Sequence, residues 1–362
     1  MVKLSKKNST LGFITVLILV GLFGYSNCGE TGGEPGVKIS KNDPMVTVWL
    51  TTVPDESITL PLRQGYEYNM MVDWGDGSAR QQITSWNDDD KTHEYAEAGE
   101  HTVTLKGLAE AWYFNNNGFT NCNDPGNGSE DKIIEVTDLG EMGWKSLERA
   151  FCGCDNLVIV KGGNTSSVTN LAEMFKGAVS AEPRVADWDT SKVTNMRSTF
   201  SGVTYEDLDV TNWDTSSATD MSFTFETITA DVNISHWDVS KVTTTEGMFL
   251  GAGDSNANVS NLNTVNVTNM RQMFYLSGVN PNMSNWNFAN VTNMQSILVG
   301  CAITTRNYTD ALIRMHETRT VNGVFLDATA QYYDSAATAR ASLVGPSSWN
   351  ISDNGSAGAD PG

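Results

Sequence analysis

At 362 residues the chain has room for two or more domains, and 40% hydrophobic with 9% aromatic content is ordinary globular composition that can supply a real core. Its 43 acidic against 23 basic residues leave a formal charge of −20, a field that repels DNA, RNA and anionic lipid headgroups. No nucleic-acid partner is therefore expected.

Only the extreme N-terminus is locally basic. Lys3, Lys6 and Lys7 precede an apolar run from Leu11 to Gly24, the plan of a signal peptide over residues 1–28. The run falls short of the roughly twenty residues that a bilayer-crossing helix needs. Tyr25-Ser26-Asn27-Cys28-Gly29 follows and resembles a lipobox, with Tyr25 and Asn27 where Leu and a small residue usually stand. The resemblance implies lipidation of Cys28, with simple secretion or an uncleaved anchor as the alternatives. It places the protein as secreted and lipid-anchored at a bacterial cell surface or outer membrane, touching the membrane only through Cys28. Residues 29–43 are polar and rich in Gly, Glu and Lys, and read as a flexible tether.

From Met45 the pattern becomes short alternating runs, Val46–Leu50 and Tyr68–Val72, which are strand signals. Val72-Asp73-Trp74-Gly75-Asp76-Gly77-Ser78 and the stretch Thr92–Leu105 resemble the two signature segments of PKD-type domains. That implies an antiparallel, immunoglobulin-like β-sandwich over residues 44–118. Asp73 and Asp76, with Asp88, Asp89 and Asp90, form a conceivable calcium cage, but Asp beside Gly in hairpins more often bonds its own backbone. His93 and His101 have no third ligand at zinc spacing and read as structural.

The strongest signal is an internal repeat. Val-Thr-Asn and its variants begin at Val168, Val193, Ala218, Val242, Val267 and Val291, a period of 24–25 residues. Phe151, Phe175, Phe200, Phe225, Phe249 and Phe274 recur in step, as do Trp188, Trp213, Trp237, Leu262 and Trp286; these columns are the expected repeat core. An apolar residue four places before most of these Phe residues predicts a short helical turn, and the Val-Thr-Asn segment a short strand. The unit Ala186-Asp187-Trp188-Asp189-Thr190-Ser191-Lys192-Val193-Thr194-Asn195-Met196 is similar to the repeat of BspA-type leucine-rich-repeat surface proteins. The fold class expected is thus mostly β: the sandwich, a linker and N-terminal cap at 119–143, and a leucine-rich-repeat-type solenoid of short parallel strands plus helical turns at 144–303. A helical cap at 304–353 and a disordered tail at 354–362 complete it.

Register places the cysteines. The third position after the repeat aromatic is small and mostly apolar, so Cys154 and Cys301 are expected as buried thiols. Six coils separate them, roughly 30 Å at the spacing of stacked strands, against the at most about 7 Å that a disulfide tolerates. The first position after the aromatic is mixed and reads as exposed, which makes Cys152 the candidate disulfide partner of Cys122 in an oxidising envelope.

Asp189, Asp214 and Asp238, followed in register by Asn263 and Asn287, suit turn-closing acceptors better than a cation ladder, because Ser stands two places after each Asp. The histidines His93, His101, His236 and His316 are scattered, and no catalytic motif is present, so no enzyme, cofactor or metal is expected. The resemblance implies adhesion: a display protein binding an extracellular protein or glycan, with an architectural envelope protein as the alternative. Lys192, Arg197, Lys241, Arg271 and Tyr275, in the variable columns, are the candidate ligand-facing residues.

Overall fold

Alternation builds the first strand. The computed structural model describes residues 43–114, 122, 128–253, 257–345 and 348–361; the signal segment, Cys28 and the tether up to Asn42 lie outside them. β1 (Met45–Thr51) buries Met45, Thr47, Trp49 and Thr51 and turns Val46, Val48 and Leu50 outward. It pairs antiparallel with β6 (Gly99–Ala109) on one side and β7 (Ile133–Asp138) on the other. β3 (Tyr68–Asp73) extends the sheet from β6 to β4 (Gln81–Ile83). Beyond β7 the pairing turns parallel, through β8 (Ile159–Lys161) to β9 (Glu182–Arg184), giving one mixed sheet of order β4-β3-β6-β1-β7-β8-β9. β2 (Glu56–Thr59) and β5 (Thr92–Tyr95) form a separate two-stranded ribbon.

This corrects the expected architecture in both halves. Residues 44–118 are not a self-contained sandwich: β7 takes up the second edge of β1 and carries the same seven-stranded sheet into the repeats. Nor are the repeats a leucine-rich-repeat solenoid of short strands plus helical turns. Between Val185 and Asn293 the described residues contain neither strand nor helix.

The backbone hydrogen bonds explain what stands there instead. The N–H groups of Leu171, Glu173, Phe175 and Gly177 donate to the carbonyls of Asn195, Arg197, Thr199 and Ser201 in the following unit. Those of Met174, Lys176 and Ala178 donate three residues back, to Leu171, Glu173 and Phe175. Inter-unit bonds and tight turns therefore alternate along the chain. A helix cannot continue because the residue two before the aromatic is left-handed, with φ of 55° at Arg149, 56° at Glu173, 53° at Ser198, 58° at Phe223 and 54° at Gln272. At the equivalent Gly247 a Cβ would collide with the Phe223 ring, which accounts for glycine there. The spacing that reads as a helical turn is two successive tight turns.

Short polar side chains close the corners. Asp189, Asp214 and Asp238 accept from the N–H of Ser191, Ser216 and Ser240 at 3.0, 2.9 and 2.8 Å, and Asn263 and Asn287 from Val265 and Ala289 at 3.4 and 2.8 Å. A second such column runs through Asn170, Asn195, Asp220, Asn269 and Asn293, and a third through Asp209, Asn233, Asn258 and Asn282.

Inside the units the phenyl rings lie over one another. Successive centroids from Phe151 through Phe274 are 5.5, 5.8, 5.9, 5.4 and 5.8 Å apart. The Trp188, Trp213, Trp237 and Trp286 indoles are buried beside them, each N–H donating to a backbone carbonyl of the preceding unit: Gly162, Val185, Val210 and Val259. Thr245 breaks the adjoining column, where Met196, Met221, Met270 and Met294 stand, and its buried hydroxyl has no hydrogen-bond partner. Thr245→Met is expected to raise stability by about 1–3 kcal/mol, the penalty of a buried unsatisfied polar group. Chemical denaturation checks this, and a neutral or lower midpoint would count against it.

After the repeats, β10 (Met294–Leu298) pairs parallel with β11 (Phe325–Ala328), and β11 with β12 (Asn350–Ser352). α1 (Thr305–Thr318), capped by the Thr304 hydroxyl, and α2 (Ala337–Val344) flank them. The Tyr308 hydroxyl donates to Asp353 at 2.9 Å, and Arg340 pairs with the same carboxylate at 2.8 Å. The C-terminal element thus contains strands as well as the expected helices. The segment expected as a disordered tail is tied down instead, since Asn354 and Ala357 donate to the carbonyls of Ala330 and Tyr332. No helix among the described residues is long and apolar enough to cross a membrane.

Candidate functional site

One side of the repeat stack carries an uninterrupted line of exposed threonines: Thr169, Thr194, Thr219, Thr243, Thr268 and Thr292. Each follows a buried Val or Ala, and the alternation turns it to solvent. From Thr194 onward both the N–H and the hydroxyl donate to the carbonyl of the threonine one unit earlier, the hydroxyls at 3.1–3.2 Å. The hydroxyls are thereby fixed in place rather than rotating freely. Two residues before each threonine stands a parallel column of Ser167, Lys192, Ser217, Lys241, Asn266 and Asn290, all exposed except the half-buried Ser217.

Lys192 and Lys241 therefore project beside the threonine line, two units apart. Asp189 and Asp238 lie three residues before them. Hydrogen bonds from Ser191 and Ser240, helped by these lysine charges, hold both carboxyls below the usual range, so they stay ionised on this face. Arg197 is exposed on a different column, its guanidinium 4.9 Å from the Phe223 ring and 3.1 Å from the Ser222 hydroxyl. Arg271 and Tyr275 are half-buried. Arg271 pairs with Glu246 at 2.9 Å, and the same carboxylate accepts from Asn269. Lys192 and Lys241 share the threonine face; Arg197, Arg271 and Tyr275 do not join them.

The cysteines are placed as follows. Cys122 and Cys152 form a disulfide with Cα atoms 5.2 Å apart. Cys152 is buried, contrary to its expected exposure, with its sulfur committed to the bridge with Cys122. Gly153, with φ of 70°, makes the seat: a Cβ there would collide with the Cys122 carbonyl. Cys154 is buried and desolvation pushes its thiol well up. Cys301 is half-buried rather than buried, in the last unit of the stack, and burial raises its thiol to about 11. Neither offers a thiolate at neutral pH.

Three of the carboxylates of the conceivable calcium cage, Asp73, Asp76 and Asp88, close local turns, as expected of Asp in such loops. Asp73 accepts from Gly75, Asp76 from Ser78, and Asp88 from Thr84 and Asp90. Among the described residues, the group of Cys and acidic side chains close enough to share an ion is Cys122, Cys152 and Glu173, and its two sulfurs are committed to each other. A cleft of about 260 Å³ opens where the sheet ends at β9, lined by Arg184, Asp187, Tyr205, Asp207 and Asp209 among others. Neither His nor Cys reaches it.

Residues 145–231, 199–311 and 222–335 each match the family described as Mycoplasma protein of unknown function, DUF285. The chain belongs to the DUF285 family. The three overlapping DUF285 matches together span the repeats and reach into the C-terminal element, as repeated units aligned in shifted registers do. No curated protein and no solved structure matches the chain.

Sequence reasoning missed the threonine line, although its signal was present: the same Thr recurs beside a buried Val at a register that must face water. It also found only one of the three turn-closing columns.

Proposed function

We propose that this DUF285 protein is displayed outside the cell, lipid-anchored through Cys28, and binds a macromolecular ligand along the side of its repeat stack rather than catalysing a reaction. The observation that carries the reading is the Thr169–Thr292 line with Lys192 and Lys241 beside it. These are backbone-fixed hydroxyls and two cations repeated at the unit spacing, so a long ligand makes the same contact several times and weak contacts add. The Cys122–Cys152 bridge supports an oxidising compartment. Likeness of the repeat motif to BspA-type surface proteins, and of two N-terminal segments to PKD-type domains, is part of the same proposal and favours a matrix protein, a glycan or a partner cell as the ligand.

The test is binding of the secreted, unlipidated chain to panels of matrix proteins, glycans and intact cells. At least one ligand is expected to bind, and the double variant Lys192→Glu, Lys241→Glu to bind it about tenfold or more weakly, two charge contacts at about 1 kcal/mol each. Binding unchanged by the double variant moves the site off this face. Silence across every panel favours an architectural envelope protein.

A further inference from the structure

The N-terminal part contains a column of rings that the binding reading does not use. Trp74 stacks on His93 at 4.8 Å, His93 meets the edge of Tyr95 at 4.7 Å, and Tyr95 stacks on His101 at 3.6 Å. The column links separate elements: Trp74 follows β3, His93 and Tyr95 belong to β5, and His101 to β6. Trp74 and Tyr95 are buried and both histidines half-buried. Polar bonds pin its two ends. Asp76 lies 2.7 Å from His93 Nε2, which carries the proton because a carboxylate only accepts. Thr51 Oγ1 lies 2.8 Å from His101 Nε2. Tyr95 adds a hydroxyl bond to the Trp74 carbonyl at 2.9 Å.

β5 is held by its ladder to β2, by Tyr95 in the core and by this ring column onto β6. A two-stranded ribbon alone is marginal in water, so contacts such as this column help to keep β5 ordered. The titratable groups facing His101 are Asp76 and His93 across the column and Tyr95 against its face; the neighbouring Glu97 and Glu100 on its own strand side are exposed.

We propose that this imidazole–aromatic column is an acid-released latch: protonation of His101 loosens β5 from β6 and weakens the β2–β5 ribbon while the repeats stay folded. A charged imidazole in that place is desolvated and close to the second imidazole, with Asp76 already engaged by His93 and able to compensate only in part. Burial, reinforced by His93 and opposed by Asp76, holds His101 below its ordinary range. The folded form thus binds the proton less readily than the unfolded form, so the latch is intact above the unfolded value of about 6.5 and weakens as pH falls through it. Asp76 acts in a separate, far more acid window. Burial works against its ionisation, but hydrogen bonds from Ser78 and His93 hold it well below the usual carboxylate range. The ribbon's other ties run from Lys132 to Glu56 and from the Thr59 N–H to Ser129; the Thr52 N–H holds the Glu56 carboxyl below its usual range, so it stays ionised between pH 7 and 5 and the opening is confined to β5 and its surroundings. Loosening uncovers Ile58 and Leu60, both buried in the folded chain.

Two measurements on the full secreted chain test this. Hydrogen exchange is followed from pH 7.5 to 5.0 and corrected for intrinsic rates. The β2 and β5 amides are expected to exchange up to about tenfold faster per pH unit once below 6.5, while amides in residues 193–225 do not change. In the variant His101→Phe, which keeps a ring against Tyr95, this pH dependence is expected to vanish. Should that variant fail to fold, imidazole titration by NMR in the wild-type chain decides, with His101 expected below free histidine. A His101 titrating at or above the free value, or ribbon and repeat amides accelerating together, overturns the proposal.

Discussion

Phe200→Ala is expected to remove about 3–5 kcal/mol of stability, the usual cost of emptying a fully buried phenyl site. Phe200 has no exposed surface and lies between Phe175 at 5.8 Å and Phe225 at 5.9 Å, with Trp213 tilted against it at 5.4 Å. No neighbour can fill the gap easily, because each ring is held by its own unit's turns. Stability in a stack is a sum of unit terms and nearest-neighbour junctions, so this one change weakens two junctions at once. Urea unfolding of the wild-type and variant chains reads the difference directly. A loss below about 1 kcal/mol would mean that the stack closes over the missing ring and that the ring column is not a close-packed core.

The second large effect concerns the bridge. Replacing both Cys122 and Cys152 by Ser is expected to cost about 3–4 kcal/mol, the chain entropy released when a loop of this size is opened; 30 residues separate the two cysteines. The double replacement avoids leaving a reactive thiol beside Cys154. Thermal unfolding with and without a reductant is the check: the wild-type midpoint should fall on reduction, and that of the double variant should not respond. A wild-type chain indifferent to reductant would show that the bridge ties together parts already held by other contacts.

Much of the interior was readable before any coordinates, because a shared core must repeat its large side chains in step. The Phe and Trp columns announce themselves for that reason. The path of the backbone between them did not. Arg149, Glu173, Ser198 and Phe223 sit in left-handed geometry without the glycine or asparagine that usually marks it, so nothing in their identity distinguishes two tight turns from one turn of helix. The sheet's passage into the repeats was hidden for a related reason. Ile133–Asp138 carries no turn signal tying it to β1, and its pairing partner lies more than eighty residues earlier. At the surface, Cys152 was misplaced by reasoning from column composition: a mixed column suggests water, but in one unit a disulfide takes water's place. The pairing of Arg271 with Glu246, one unit away, was hidden because it cannot be seen without knowing that the two positions lie side by side.

The uniform junction has a consequence for how such a chain can change over generations. Every unit offers its predecessor the same four carbonyls and its neighbours the same ring face, whatever its outward residues are. Copying or deleting one whole period therefore leaves the joints on either side intact, and lengthens or shortens the molecule in steps of 5.4–5.9 Å. Reach becomes a quantity adjustable by the gain or loss of whole units, independently of whatever chemistry the outer columns acquire.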